Sequence, residues 1–281
     1  MMRIVVAFAA AALLALAAAA AAIHWGWYNV AATEPHLQPT RWLLDVAMRR
    51  SVHARIDRIV VPALDDAQMI ERGLALYRRH CLSCHGAPGV APAPFALGMR
   101  PLPANLAYTA RHWRPAEIYW VVRHGVRMTG MPAWQFRMSD ADLWATVAFV
   151  RRLPMLSPTE FQAQLRNAPA DGATAAAAAA RQDAAAAAVG DPVRGKQAIE
   201  QYGCAACHRI PGIADDGPPV GPALDRIATR GVIAGVLPNS RENMIRWLLD
   251  PQQVDPQTAM PALGIDPRDA ADIAAFLYQL R

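Results

Sequence analysis

The chain has 281 residues, 54% hydrophobic and 18% charged, which fits one or two domains and excludes disorder throughout. Its 28 basic and 23 acidic residues leave a net charge of +5 with no Lys/Arg-rich run, so nucleic acid is not an expected partner. Four cysteines in two short clusters exclude a disulfide-built mini-protein, and one apolar run near the N-terminus excludes a multi-span membrane protein.

Met1, Met2 and Arg3 precede twenty apolar residues, Ile4 to Ile23. Trp25, Trp27 and Tyr28 follow, as one edge of an aromatic belt would. Residues 1–23 are therefore read as a single membrane anchor. The alternative is a cleaved signal, since small residues at 15–22 suit an A-x-A site; the run is longer than the usual ~7–15-residue core of such a signal. Both readings export the remainder of the chain. Residues 24–62 form a membrane-proximal segment with a helix at 40–55, Thr40 standing as N-cap after Pro39. Trp42, Leu43, Val46 and Ala47 share a face of it, to pack on the first domain or on a membrane partner.

The strongest signal is Cys81-Leu82-Ser83-Cys84-His85, repeated as Cys204-Ala205-Ala206-Cys207-His208. Thr129-Gly130-Met131-Pro132-Ala133 recurs as Thr258-Ala259-Met260-Pro261-Ala262, and apolar segments at 145–153 and 270–280 close the two units. The offsets are 123 residues for the cysteines, 129 for the methionines and 127 for Phe149 and Phe276. Three landmarks in order at near-constant offset mark two copies of one domain. They are placed at 63–160 and 190–281, with 161–189 as an alanine-rich, partly helical spacer. Residues 63–157 carry 11 Arg and 6 acids, whereas 191–281 carry 9 basic and 11 acidic residues. Opposite signs imply different neighbours.

CxxCH is the attachment signature of c-type heme. Two thiols join the porphyrin vinyl groups as thioethers, and two intervening residues let one turn present both sulfurs to one porphyrin edge. The adjacent histidine then lies beneath the iron. A zinc site would need further Cys or His at matching spacing, and a thioredoxin-like pair would need a βαβ context. The second axial ligand is expected to be methionine, whose soft thioether raises the heme potential. In the second unit Met260, before Pro261, fits a loop crossing the distal face; Met244 is its rival in a helical pattern where methionine more often fills core. In the first unit Met131 matches the repeat and Met128 is the nearest rival, with Met99, Met138, His112 and His124 also in reach. Gly221-Pro222-Ala223-Leu224 and its counterpart Pro103-Ala104-Asn105-Leu106 are placed to offer a carbonyl to the other imidazole N–H.

The fold read from this pattern is all-α. Residues 69–80 and 193–203 are short helices running into each CxxCH, with Gly73 and Tyr77, and Gly195 and Ile199, on one face. A glycine there permits a close crossing with the terminal helix. Each unit is small for a self-sufficient core, and a covalent heme supplies the missing apolar mass.

CLSCHGAPG, MTGMPAW, CAACH, GPALD and TAMPALGI together resemble two-domain, class I cytochromes c, over nearly all of 63–281 apart from the spacer. WYNVAATEPH resembles membrane-attached bacterial cytochromes, and AGVLPNSRENMIRWLLDPQQVDPQTAMPALGI the modules found with heme–copper cytochrome c oxidases. The resemblance implies two tandem class I cytochrome c domains, each around a covalent heme c, after an N-terminal membrane helix. It implies attachment at Cys81, Cys84, Cys204 and Cys207, proximal ligands His85 and His208, and distal ligands Met131 and Met260. The expected role is single-electron transfer in a respiratory chain, at the periplasmic face of a bacterial inner membrane. The partners would be a terminal oxidase or a quinol-oxidising complex, and the protein itself no enzyme. The alternatives are a cytochrome subunit of a membrane dehydrogenase, or a heme enzyme of peroxidase or thiosulfate dehydrogenase type should one heme lack its methionine. The lysine-rich docking face of many soluble cytochromes c would have to be arginine here, since Lys196 is the only lysine.

Overall fold

The computed structural model describes residues 2–34, 36–167, 190–214 and 220–281. α1 (Met2–His24) buries none of its residues in the protein. Its 23 residues, at ~1.5 Å each, exceed the ~30 Å hydrocarbon core of a bilayer. α2 (Gln38–His53) begins before the expected Thr40. Leu37 stands at the N-cap without a side-chain cap, and Pro39 occupies the first turn, where its missing N–H costs nothing. Thr40 therefore lies inside the helix and does not cap it. The C-terminal end of α2 is tied down: Val52 and Ile56 are buried with Ala116, against Met48, Trp113 and Trp120.

The first unit holds α3 (Ala67–His80), α4 (Leu82–His85), α5 (Pro94–Leu97), α6 (Leu106–His112), α7 (Pro115–His124), α8 (Asp140–Arg152) and α9 (Pro158–Asn167). The second holds α10 (Pro192–Gln201), α11 (Arg241–Leu249), α12 (Pro251–Val254) and α13 (Pro267–Leu277). A two-stranded antiparallel ribbon, Val232–Ile233 with Leu237–Pro238, is the one sheet among the described residues. Side-chain caps start the helices that lead into the two cysteine clusters. Asp66 accepts from the Met69 N–H at 2.7 Å, and Asp191 from the Val193 N–H at 2.8 Å.

In each unit the helix before CxxCH crosses the terminal helix, α3 on α8 and α10 on α13. Glycine permits the contact, as the sequence led us to expect. A Cβ on Gly73 would stand 2.0 Å from the Ala145 carbonyl oxygen, and one on Gly195 2.0 Å from that of Asp272. Beside each glycine an ion pair locks the crossing. Arg72 Nε donates to Asp142 at 2.6 Å, and Arg194 donates to Asp272 through Nε at 2.9 Å and through Nη2. Both carboxylates are buried.

Two features lay outside the expected plan. Phe161 of α9 is fully buried, its ring 6.4 Å from that of Phe149, so the first unit's packing extends past residue 160 into the segment assigned to the spacer. Residues 168–189 of that spacer lie outside the described residues. The two units also share a seam. Ala133 and Phe136 of the first unit belong to the apolar core of the second. Tyr202 donates to the Phe136 carbonyl at 2.5 Å, and Arg137 donates to the Gln201 carbonyl at 3.2 Å. The Arg137 guanidinium lies 5.2 Å from the Tyr202 ring centre.

Candidate functional site

Each cysteine cluster sits where its leading helix ends, and each spans one turn. The Cys81 carbonyl accepts the His85 N–H at 2.9 Å, and the Cys204 carbonyl accepts that of His208 at 2.9 Å. Tyr77, fully buried on α3, donates to the Gly86 carbonyl at 2.5 Å and pins the chain just past His85. Burial pushes the Cys81 thiol up to about 12 and the Cys204 thiol up to about 11. Both sulfurs face apolar surroundings.

Behind each histidine stands a carbonyl. His85 Nδ1 lies 2.7 Å from the Ala104 oxygen, and His208 Nδ1 lies 2.8 Å from the Pro222 oxygen. A carbonyl only accepts, so Nδ1 carries the proton in both rings and Nε2 keeps its lone pair for a metal. These are the segments in which the sequence placed such a carbonyl. Burial lowers the pKa of His85 against the opposing bond to Ala104, which favours the neutral imidazole that ligation needs. Backbone lies directly on the second ring: a Cβ on Gly221 would stand 2.6 Å from His208 Cε1.

The methionine loops repeat as well. The Met131 N–H donates to Thr129 Oγ1 at 3.1 Å, Thr129 Oγ1 donates to the Val126 carbonyl at 2.7 Å, and the Val126 N–H returns to the Met131 carbonyl at 3.2 Å. In the second unit the Met260 N–H donates to Thr258 Oγ1 at 3.3 Å. Met131 packs half-buried against the core that contains Cys81, Ile118 and Val122. Met260 packs against the core that contains Ala205 and Met244, where Cys204 also packs. The rivals are placed differently. Met128 is 91% exposed, whereas Met138 and Met244 are buried core residues. Met99 lies beside Gly130, its sulfur 3.0 Å from where a Cβ would stand. His112 is bonded to the Tyr108 carbonyl at 2.8 Å, and His124 packs on Trp120 with ring centres 4.9 Å apart.

The donor set of each unit fits a covalently held heme. Two thiols and an imidazole share one turn, the imidazole tautomer is fixed, and a thioether is seated against the same core. Among the described residues no group of three or more His, Cys, Asp or Glu side chains is placed to hold a metal ion. The paired ion bridges went unforeseen. Their signal was present, because arginine precedes the crossing glycine in both copies, as Arg72-Gly73 and Arg194-Gly195.

Comparison with known proteins matches residues 68–150 to the family described as cytochrome c oxidase, cbb3-type, subunit III, and residues 192–281 to the cytochrome c family. The chain is 35% identical over 89 residues to cytochrome c oxidase subunit 2 of Alkalihalophilus pseudofirmus, a stretch covering 31% of this chain and 25% of that protein. It is 34% identical over 86 residues to dihydro-heme d1 dehydrogenase of Pseudomonas aeruginosa, covering 31% of this chain and 16% of that protein. The chain thus spans a quarter or less of the length of these curated relatives. No solved structure matches it.

Proposed function

From a chain that joins a cytochrome c oxidase cbb3 subunit III-type domain to a cytochrome c domain, and so carries two covalently bound heme c groups, we propose a membrane-attached carrier that passes single electrons to a terminal oxidase. Cys81 and Cys84, and Cys204 and Cys207, hold the two groups as thioethers. His85 and His208 would ligate the two irons, with Met131 and Met260 as the second ligand in each unit. When bound, the heme supplies an iron that cycles between Fe(III) and Fe(II).

The remaining work falls to the chain. The Ala104 and Pro222 carbonyls orient the imidazoles and make them stronger donors. The Thr129–Val126–Met131 turn holds one thioether in place, and Thr258 braces the other loop. With a methionine bound in each unit neither iron would keep an open position for substrate, and tuning and docking would be the protein's task. The observation that carries this reading is the duplication of the whole set, carbonyl-held histidine and threonine-braced methionine, in both units.

The arginine-rich first unit steers the chain onto an acidic partner. Similarity to an oxidase subunit favours an oxidase as that partner. α1, 23 residues long and apolar from Ile4 to Ile23, keeps the protein at the membrane with both units exported. Stopped-flow oxidation of the reduced protein by a purified terminal oxidase tests this. The rate is expected to fall as ionic strength rises, and a salt-independent rate contradicts electrostatic docking.

A further inference from the structure

α2 ends in the first unit but begins outside it. At its C-terminal end Met48, Val52 and the following Ile56 are covered by Ala116, Trp113 and Trp120. At its N-terminal end Leu37, Trp42, Leu43 and Leu44 are 71%, 67%, 59% and 54% exposed. Trp42 and Val46 lie one turn apart, as do Leu43 and Ala47. These two rows form an apolar face turned away from the row of Met48 and Val52. Trp42, Leu43 and Ala47 are exposed on it and Val46 is half-buried, and an exposed apolar face of this kind marks an interaction surface.

Two observations name its occupant. Only residues 25–37 separate α2 from α1, the helix long and apolar enough to cross a membrane, and Trp25, Trp27 and Tyr28 lie exposed between them. The surface nearest to this face is therefore the one that α1 enters. Charge agrees: residues 38–58 carry five arginines against two aspartates. Just past α2, Arg55, Arg58 and Arg123 line a cleft of about 590 Å³ in which Asp140 is the one carboxylate. An apolar face flanked by arginine suits the boundary between anionic headgroups and acyl chains.

We propose that the N-terminal half of α2 lies in the outer surface of an anionic lipid bilayer, with Trp42, Leu43, Val46 and Ala47 immersed and Arg41 and Arg50 among the headgroups. The helix is then a strut: its lipid-bound half fixes the height and tilt of the first unit, into which its other half is packed. The inference rests on the proposed membrane attachment and adds a second point of contact to it.

The test uses the full-length holoprotein in vesicles of phosphatidylglycerol and phosphatidylcholine. All four native cysteines are taken up by heme in the proposed function, so Leu43→Cys, Trp42→Cys and the control Val193→Cys each offer one free thiol. Val193 is 69% exposed and lies in α10 of the second unit, away from α2 and its cleft. Heme absorption confirms that each variant is folded. A membrane-impermeant maleimide is expected to label positions 42 and 43 at least tenfold more slowly than position 193. Equal rates in protein that stays with the vesicles through alkaline washing overturn the inference and leave the anchor standing. Loss of the protein from washed vesicles overturns both. Protection at 42 and 43 that grows with protein density at constant lipid assigns the face to a second copy of the chain and also overturns it.

Discussion

Gly195→Ala probes the contact on which the second unit is built. The new Cβ would stand 2.0 Å from the Asp272 carbonyl oxygen and 2.5 Å from its carbon. Ordinary van der Waals contact begins near 3.4 Å, so α10 and α13 must part by about 1.4 Å. The obstacle is helix backbone, which cannot rotate aside, and the Arg194–Asp272 pair crosses the same gap. Over-packing of this kind costs about 1–3 kcal/mol, and a backbone clash belongs at the upper end. Alanine returns about 1 kcal/mol through its better helix propensity. The net expectation is a loss of about 2 kcal/mol, or about 8–16 °C in Tm for a unit of this size. Thermal unfolding followed by heme absorption measures it. Gly231→Ala, with nothing within 4 Å of its added Cβ, is the control and is expected to change stability by less than about 0.5 kcal/mol. A Gly195→Ala protein as stable as wild type would refute the crossing geometry.

Tyr202→Phe removes the hydroxyl that bonds the Phe136 carbonyl across the seam and Asp269 within its own unit; a loss of about 1–2 kcal/mol and faster proteolysis between the units are expected, and unchanged cleavage argues against a fixed seam. Burial raises the Asp269 carboxyl from 3.8 to about 6, so between those values the folded protein holds a proton that the unfolded chain has released. The stabilisation from Asp269 is therefore complete below about pH 4 and lost as pH rises through 6. The Tm of wild type relative to Asp269→Asn should fall from pH 4 to 7, and a constant difference would count against the raised carboxyl. Met131→Ala and Met260→Ala should each abolish the far-red methionine–iron absorption of one ferric heme and lower that heme's potential, leaving the other unchanged. Loss of both bands from a single variant would contradict independent sites.

The chemistry was legible in the sequence because it is written in fixed spacings. Cys81, Cys84 and His85 must share one turn, and the repeat then points to Met131 and Met260. Gly73 and Gly195 were legible for a related reason, since a helix face that must meet another backbone has no room for a side chain. The ends of elements were harder. Thr40 has the chemistry of an N-cap, but Pro39 fits a first turn equally well, and the helix starts earlier. Arg72–Asp142 and Arg194–Asp272 join residues about 70 to 80 positions apart, and only the crossing brings them together. The seam was the least visible. Ala133 and Phe136 have the pattern of residues that serve their own unit's core, and nothing local marks them as packing into the other.

The central claim is that both irons are held between histidine and methionine and leave no site for substrate. Absorption spectroscopy of the purified holoprotein, ferric for the methionine–iron band and ferrous under carbon monoxide, tests it most directly. The account predicts a methionine–iron band of two-heme intensity and a ferrous spectrum unchanged by carbon monoxide. A band of one-heme intensity, together with a heme that takes up carbon monoxide, would contradict it and make that unit a catalytic centre.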